Sequence, residues 1–229
     1  MMVGKDIGEP LTKMPKDVYY NGKDVPTFNA YLTIIVRDKD RKVIRVHRQR
    51  SHSPTYNFIY LLLPFSFYST SGAKVTITNT SGGSTSWAPS PSYITYPNTQ
   101  TNNPSYIIMI QVGNGSQSNP SAATKLAAPI PSGTGSGQLV YGAVSVSSNI
   151  AVSGNSAYFY IVQAFSNESG ANVSITEIGI ITQIQVNGVY CGNTVNFGSL
   201  LVWYDVLSSA ITVPNQGTVT IYYTFTVNP

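Results

Sequence analysis

The stretch TVTIYYTFTV, residues 218 to 227, decides the fold class. Residues of one parity are apolar or aromatic, namely Val219, Ile221, Tyr223, Phe225 and Val227. Residues of the other parity are threonines and Tyr222. Successive side chains of a β-strand point to opposite faces, so this stretch predicts a strand with one buried face and one polar face. A strand of this kind is typical of an antiparallel sheet that is covered on one side.

Similar segments recur through the chain, separated by Gly, Ser, Asn and Pro. Those predicted as strands are FNAYLTIIV (28–36), VIRVHRQR (43–50), AKVTITNT (73–80), SYIIMIQV (105–112), QLVYGAVSV (138–146), AYFYIVQAF (157–165), NVSITEIGIITQIQV (172–186) and LLVWYDVL (200–207). No segment after residue 70 has the period of a useful amphipathic helix. Roughly nine or ten strands therefore predict an all-β protein, specifically a jelly-roll-type β-sandwich.

The chain divides into two predicted parts. Residues 1–27 contain three prolines and no sustained periodicity, which favours an extended N-terminal arm. Residues 28–229 are predicted to form a single sandwich that includes a basic hairpin at 28–50. Long loops at 81–104 and 113–137 lack a secondary-structure signal, and loops of this length are generally functional or disordered.

The run YNFIYLLLPFSFY (56–68) has no clean period, so it is either a buried strand or a short helix that stops near Pro64. Its apolar part is too short to span a bilayer as a helix. We therefore predict no transmembrane segment.

Charge is concentrated towards the N-terminal end. Eleven of the 13 lysines and arginines, and 6 of the 9 acidic residues, precede residue 51. Such asymmetry predicts that this end meets a charged partner while the remainder forms a folded body. The candidate docking patch consists of Arg45, His47, Arg48, Arg50 and His52. Nucleic acid is a second choice of partner, because these residues match no known reading motif.

The sequence does not predict catalysis. Its only histidines, His47 and His52, have no nearby acids other than Asp38 and Asp40. There is no GxSxG elbow and no GxxxxGK(S/T) loop, and one cysteine with two histidines cannot close a zinc site. We predict a protein that is not an enzyme and has no catalytic, cofactor-binding or metal-binding residues.

Two carboxylates, Glu177 and Asp205, lie inside predicted strands. A buried carboxylate needs partners, and no arginine follows residue 50. The partners must therefore be backbone N–H groups, Tyr or Thr hydroxyls, or the basic N-terminal segment. We predict a structural role for both residues.

Two further sets of residues are candidates for surface contacts. Trp87, Tyr93 and Tyr96 lie in the first long loop, where they either form a contact surface or pin the loop to the sandwich. Four asparagines, Asn79, Asn114, Asn167 and Asn172, begin N-x-S/T sequons and are possible glycosylation sites. A chain this rich in Asn, Ser and Thr also produces sequons by chance.

Two segments together resemble a known family. They are LTIIVRDKDRKVIRVHRQRSHSPTYNF (32–58) and the pair ITEIGI (175–180) and LLVWYDVLSSAITVPNQGTVTIYYTFTV (200–227). The chain resembles the jelly-roll penton-base or turret-base capsid proteins of archaeal turreted icosahedral viruses, of the Sulfolobus turreted icosahedral virus type. In these, an E-x-G strand precedes a D-V-L-S-S-x-I-T-V-P segment and a last Thr-rich strand. The resemblance covers about a third of the chain.

The resemblance implies a virion structural protein that forms a homopentameric ring at a capsid vertex. It would contact the major capsid protein and a spike or turret, and would occupy the host cytoplasm during assembly. Glu177 and Asp205 would then be fold-signature residues. The alternative is a carbohydrate-binding or receptor-binding adhesion module of a viral fibre or spike, in which exposed aromatic side chains stack on sugars.

Overall fold

The computed structural model describes residues 27–51, 53–59, 75–87, 94–95, 108–147, 150–154, 156–187 and 194–228. Its strands are β1 (Thr27–Arg37), β2 (Val43–Ser51), β3 (Val75–Thr78), β4 (Ser84–Trp87), β5 (Ile94–Thr95), β6 (Ile108–Gly113), β7 (Val140–Val146), β8 (Ala151–Ser153), β9 (Ser156–Ser166), β10 (Val173–Asn187), β11 (Thr194–Val213) and β12 (Thr218–Asn228). The predicted all-β class is confirmed.

The strands form two main antiparallel sheets. Sheet A has the order β2-β1-β12-β9-β7, and β8 also pairs with β9. Sheet B has β10 at its centre, with β11 on one side and β5 and β6 on the other. The β3–β4 hairpin stands apart as a two-stranded sheet. The two-sheet architecture agrees with the predicted sandwich, whereas jelly-roll connectivity stays a prediction.

Strand β12 lies in the middle of sheet A, between β1 and β9. The predicted alternation is confirmed, since Val219, Ile221 and Tyr223 are fully buried. The apolar face of β12 continues into β1, where Ile34 pairs with Ile221. These side chains meet sheet B residues such as Ile178 in the main hydrophobic cluster. Burial of this shared face is the principal source of stability.

Sheet B is covered on both faces. A second cluster contains Leu126, Leu201 and Tyr204, and Leu126 comes from the segment that follows β6. Packing is tight here, since a Cβ at Gly179 would lie 2.5 Å from the Leu201 Cδ1 atom. Burial on both faces explains why β10 is a continuous apolar run around Gly179 instead of an alternating one.

The two predicted long loops contain more structure than their composition indicates. Residues 84–87 form β4 and residues 94–95 form β5, both inside the segment assigned as a loop at 81–104. The second loop contains a short 3₁₀ turn at Pro120–Ala122. Its apolar side chains Leu126 and Ile130 are buried, and these fix the loop on the sandwich.

The ambiguous segment begins as a helical turn at residues 56–59, where the Ile59 N–H donates to the Thr55 carbonyl at 3.3 Å. Residues 60–68 lie outside the described part of the chain. The predicted arm also lies outside it, except for Thr27, which begins β1.

Candidate functional surfaces and buried carboxylates

The basic hairpin has an unexpected orientation. The residues of β2 alternate between the two sides of the sheet, and Ile44 and Val46 are on the exposed side, with Val46 52% exposed. Arg45 is on the inner side and donates to the Ala210 carbonyl at 2.9 Å and the Ser209 hydroxyl at 2.8 Å. Strand β2 is an edge strand of sheet A and β11 is an edge strand of sheet B, and the side chains of Arg45 and Gln49 on β2 donate to oxygen atoms of β11.

The docking-patch residues therefore do not form one continuous surface. His47 is on the inner side with Arg45 and forms a hydrogen bond of 3.0 Å with Gln49. Arg48 and Arg50 are on the outer side of sheet A, where Arg50 donates to the Asn29 side chain at 2.6 Å. His52 lies outside the described residues. The Arg45 guanidinium helps to close the sandwich, whereas Arg48 and Arg50 lie on the exposed outer side.

Glu177 is fully buried and anchors the second long loop. Its Oε1 atom accepts from the N–H groups of Ala128 at 2.7 Å and Gly115 at 3.2 Å. Its Oε2 atom accepts from the Ala127 N–H at 2.9 Å and the Tyr204 hydroxyl at 2.6 Å. Burial, with the hydrogen bond to the carboxylate, raises the pKa of the Tyr204 hydroxyl. The predicted partner types, backbone N–H and a tyrosine hydroxyl, are confirmed.

Asp205 is buried between the two sheets. Its Oδ2 atom accepts from the Ser51 hydroxyl at 2.5 Å and from the Tyr223 hydroxyl at 2.9 Å. The Trp203 indole N–H in turn donates to the Ser51 oxygen. Burial, followed by the nearby Asp205 charge, raises the pKa of Tyr223 well above its ordinary value. Asp205 thus joins the end of the basic hairpin to the centre of β12.

The opposite lateral opening of the sandwich is closed by two polar side chains of sheet A. The Gln163 Oε1 atom accepts from the Ile110 N–H at 2.7 Å. The Tyr141 hydroxyl accepts from the Val112 N–H at 3.3 Å and donates to the Ile130 carbonyl at 2.7 Å. Burial raises the pKa of Tyr141 to about 12, against the lowering effect of its backbone hydrogen bond. These contacts satisfy N–H groups of β6 that would otherwise form an unpaired edge.

A cavity of about 490 Å³ lies beside this closure. Its lining includes Met109 and Gln111 of β6, Pro131 and Gln163. The groups are neutral, and in the described part of the chain no cluster of three His, Cys, Asp or Glu residues is placed to hold a metal ion.

The sequons differ in accessibility. Asn114 and Asn172 are exposed, and Asn79 is half-buried in the β3–β4 turn. Asn167 is fully buried, and its amide donates to two backbone carbonyls at 2.8 and 2.9 Å. The Asn167 side-chain nitrogen is thus already used inside the folded chain, and glycosylation at the four sequons stays a prediction.

The aromatic residues of the first loop lie largely outside the description. Tyr93, Tyr96 and the side chain of Trp87 belong to residues that the structure does not describe. Their role in binding a sugar or fixing the loop stays a prediction. Among the described elements, no helix has the length and apolar character required to cross a membrane.

Large apolar side chains are exposed at both lateral edges of sheet A. On β2 they are Val43, Ile44 and Val46. On the β7–β8 side they are Val146, Ile150 and Val152. Val152 is 73% exposed. The two edges are at opposite ends of the strand order of sheet A, with β1, β12 and β9 between them.

Comparison of the chain with protein-family models, curated proteins and solved structures found no match. The arrangement itself offers two kinds of surface: apolar lateral edges, and a broad outer face of sheet A.

Proposed function

We propose that the protein is a structural subunit of a shell, in which copies join laterally through the two edges of sheet A. The observation that carries this proposal is the exposure of apolar side chains on both edges. Exposed edge strands are templates for pairing with another chain, and natural proteins generally protect them with charges, prolines or bulges. Here the outward side of the β2 edge carries Ile44 and Val46 in its first half, and the charged Arg48 and Arg50 follow only in its second half.

The positions of the two edges favour a closed ring. The β2 edge and the β7–β8 edge are different surfaces, so contact between them is head-to-tail. Head-to-tail contacts generate a ring when the rotation between subunits closes. Each buried apolar side chain would contribute about 25 cal/mol per Å² of area removed from water.

A capsid vertex is the setting that the sequence resemblance supports. In that setting the ring is a homopentamer that contacts the major capsid protein and a spike or turret, in the virion and, during assembly, in the host cytoplasm. A body with few charges suits lateral contacts, because few ions lose their hydration when subunits meet.

We expect one lysine on either edge to prevent ring formation. Val46→Lys places a charge in the apolar surface of the β2 edge, and Val152→Lys does so on the β7–β8 edge. Each should raise the dissociation constant of the contact between two subunits at least about tenfold. Native mass spectrometry of the wild type should give a particle of about five times the 24.7 kDa chain mass. Each variant alone should be monomeric.

Mixing the two variants tests the head-to-tail geometry. Each variant keeps one intact edge, so an equimolar mixture should form a heterodimer and nothing larger. Thr212→Lys, at an exposed position of β11, is the matched control and should assemble as the wild type does. A wild-type monomer at high concentration, or homodimers of a single variant, would contradict the proposal.

A further inference from the structure

The outer face of sheet A combines aromatic rings with arginines. In one row across the sheet, Arg50 pairs with Tyr31, Tyr31 with Thr224, and Thr224 with Tyr160. Residues directly opposite each other on paired strands have side chains on the same face. Arg50, Tyr31 and Tyr160 are exposed, so the row is accessible to a partner.

The neighbouring row repeats the pattern with a shift. Arg48 pairs with Thr33, Thr33 with Tyr222, and Tyr222 with Val162. Tyr158, two residues before Tyr160 on β9, extends the aromatic set. Four tyrosines, Tyr31, Tyr158, Tyr160 and Tyr222, are thus distributed over β1, β12 and β9. We call this surface the tyrosine face.

The tyrosine face is positively charged. Its charged side chains are Arg37, Arg48 and Arg50, and the described residues of this face include no Asp or Glu. Arg37 lies over the sheet, with its Nη1 atom 3.5 Å from the Thr220 hydroxyl. A depression of about 450 Å³ lies beside Tyr31, Arg48 and Arg50. The occupant that complements this surface is an anion with flat rings.

We propose that the tyrosine face binds single-stranded nucleic acid. Base stacking on aromatic side chains together with backbone contacts to basic residues is the usual mode of single-strand binding. Adjacent strands are about 4.8 Å apart, so the backbones of Tyr31 and Tyr160 are separated by about 10 Å. This exceeds the 3.4 Å rise of stacked bases in a duplex, so the rings suit splayed bases.

The number of tyrosine rings on this face favours a nucleic acid strand over a saccharide as the ligand. A saccharide in the depression would contact Tyr31, whereas Tyr160 and Tyr158 are on another strand. A nucleic acid strand that crosses the face meets several rings in series as well as the arginines. The inference does not depend on ring formation, because a single copy carries the whole face.

The test is fluorescence anisotropy of the full chain with a labelled oligothymidylate of about 12 nucleotides at low salt. Tyr31→Ala and Tyr160→Ala should each weaken binding about 5- to 150-fold, whereas Tyr31→Phe, which keeps the ring, should bind within about twofold of the wild type. Tyr56→Ala is the matched control, since Tyr56 is 53% exposed but lies on the helical turn.

Salt dependence provides a second, independent measurement. Three arginine contacts predict that log K falls with log salt concentration with a slope of about −2, and Arg48→Ala should bring it to about −1.4. Duplex DNA of equal length should bind more weakly.

Three outcomes would overturn the proposal: no binding of the oligonucleotide, a loss of affinity in Tyr56→Ala equal to that in the tyrosine-face variants, or stronger binding of an acidic oligosaccharide than of the nucleic acid. Because Arg48→Ala leaves every aromatic ring in place, the salt slope remains informative even where an alanine variant of a tyrosine does not fold.

Discussion

Replacing Glu177 with alanine is expected to lower the free energy of unfolding by about 3 to 5 kcal/mol. The carboxylate accepts from the N–H groups of Gly115, Ala127 and Ala128 and from the Tyr204 hydroxyl. All four donors lose their acceptor in the variant, at a site where Glu177 itself is fully buried. Urea denaturation measures the loss, and hydrogen exchange at residues 115, 127 and 128 should show that the loop has detached.

Glu168→Ala is the matched control, because Glu168 is exposed and the substitution removes the same chemical group. It should change stability by less than about 0.5 kcal/mol. Glu177→Gln should fall between the two, since one oxygen is kept while the new amide group meets donors instead of acceptors. Equal stability of the Glu177 and Glu168 variants would show that the loop does not depend on the carboxylate.

The sequence predicts a strand correctly where its alternation of apolar and polar residues matches one covered face and one exposed face. Strand β12 alternates because it has one covered face, and its buried residues could be read directly from parity. The chemical types of the Glu177 partners, and of the Tyr223 hydroxyl that binds Asp205, could also be predicted, since no arginine follows residue 50. The Ser51 hydroxyl that binds Asp205 is not among the predicted types. The identity of those donors could not be predicted, because Ala127 and Ser51 are distant from their carboxylates in sequence.

In the β1–β2 hairpin, the alternation of residue types is not sufficient to predict which side of the strand is buried. Alternation places Ile44 and Val46 on one face of β2, but it does not determine which face is covered. The inner side of β2 meets carbonyl and hydroxyl groups of Ala210 and Ser209 on β11, so Arg45 is favoured there. The apolar residues are consequently exposed, and the proposed lateral contacts arise from this inversion.

The outer face of sheet A could be predicted from the sequence only in part, because its residues come from strands that are distant in sequence. Arg48 and Arg50 are obvious in the basic hairpin, but the tyrosines beside them come from β1, β9 and β12. Only strand pairing brings Tyr31 near Tyr160. The second long loop has the composition of a flexible linker, yet the buried side chains of Leu126 and Ile130 and the backbone contacts of Glu177 fix it.

Raising the pH from 10 to 12 is expected to lower the free energy of unfolding by about 2 kcal/mol through Tyr141, and to lower it further through Tyr223. The pKa of Tyr141 is raised to about 12 and that of Tyr223 well above its ordinary value, chiefly by burial. Above pH 10 the unfolded chain loses these phenol protons while the folded chain keeps them. The unfolded state then binds fewer protons, so stability falls as the pH rises. Tyr204, whose pKa is also raised, acts in the same direction.

The dependence of the free energy of unfolding on pH is measured by urea denaturation between about pH 9 and pH 12. Its slope reports only the ionisation of the tyrosines, whereas the stability at a single pH also includes the hydrogen bonds that a substitution removes. Tyr141→Phe removes one retained proton and should reduce the slope by about 1 kcal/mol per pH unit near pH 11, even though losing the hydroxyl also lowers stability at neutral pH. Tyr56→Phe, at an exposed position, should leave the slope unchanged. Should Tyr141→Phe have the same slope as the wild type, the Tyr141 hydroxyl would have to ionise in the folded chain as readily as in the unfolded one. The hydroxyl could then not be buried at the sandwich edge as described above.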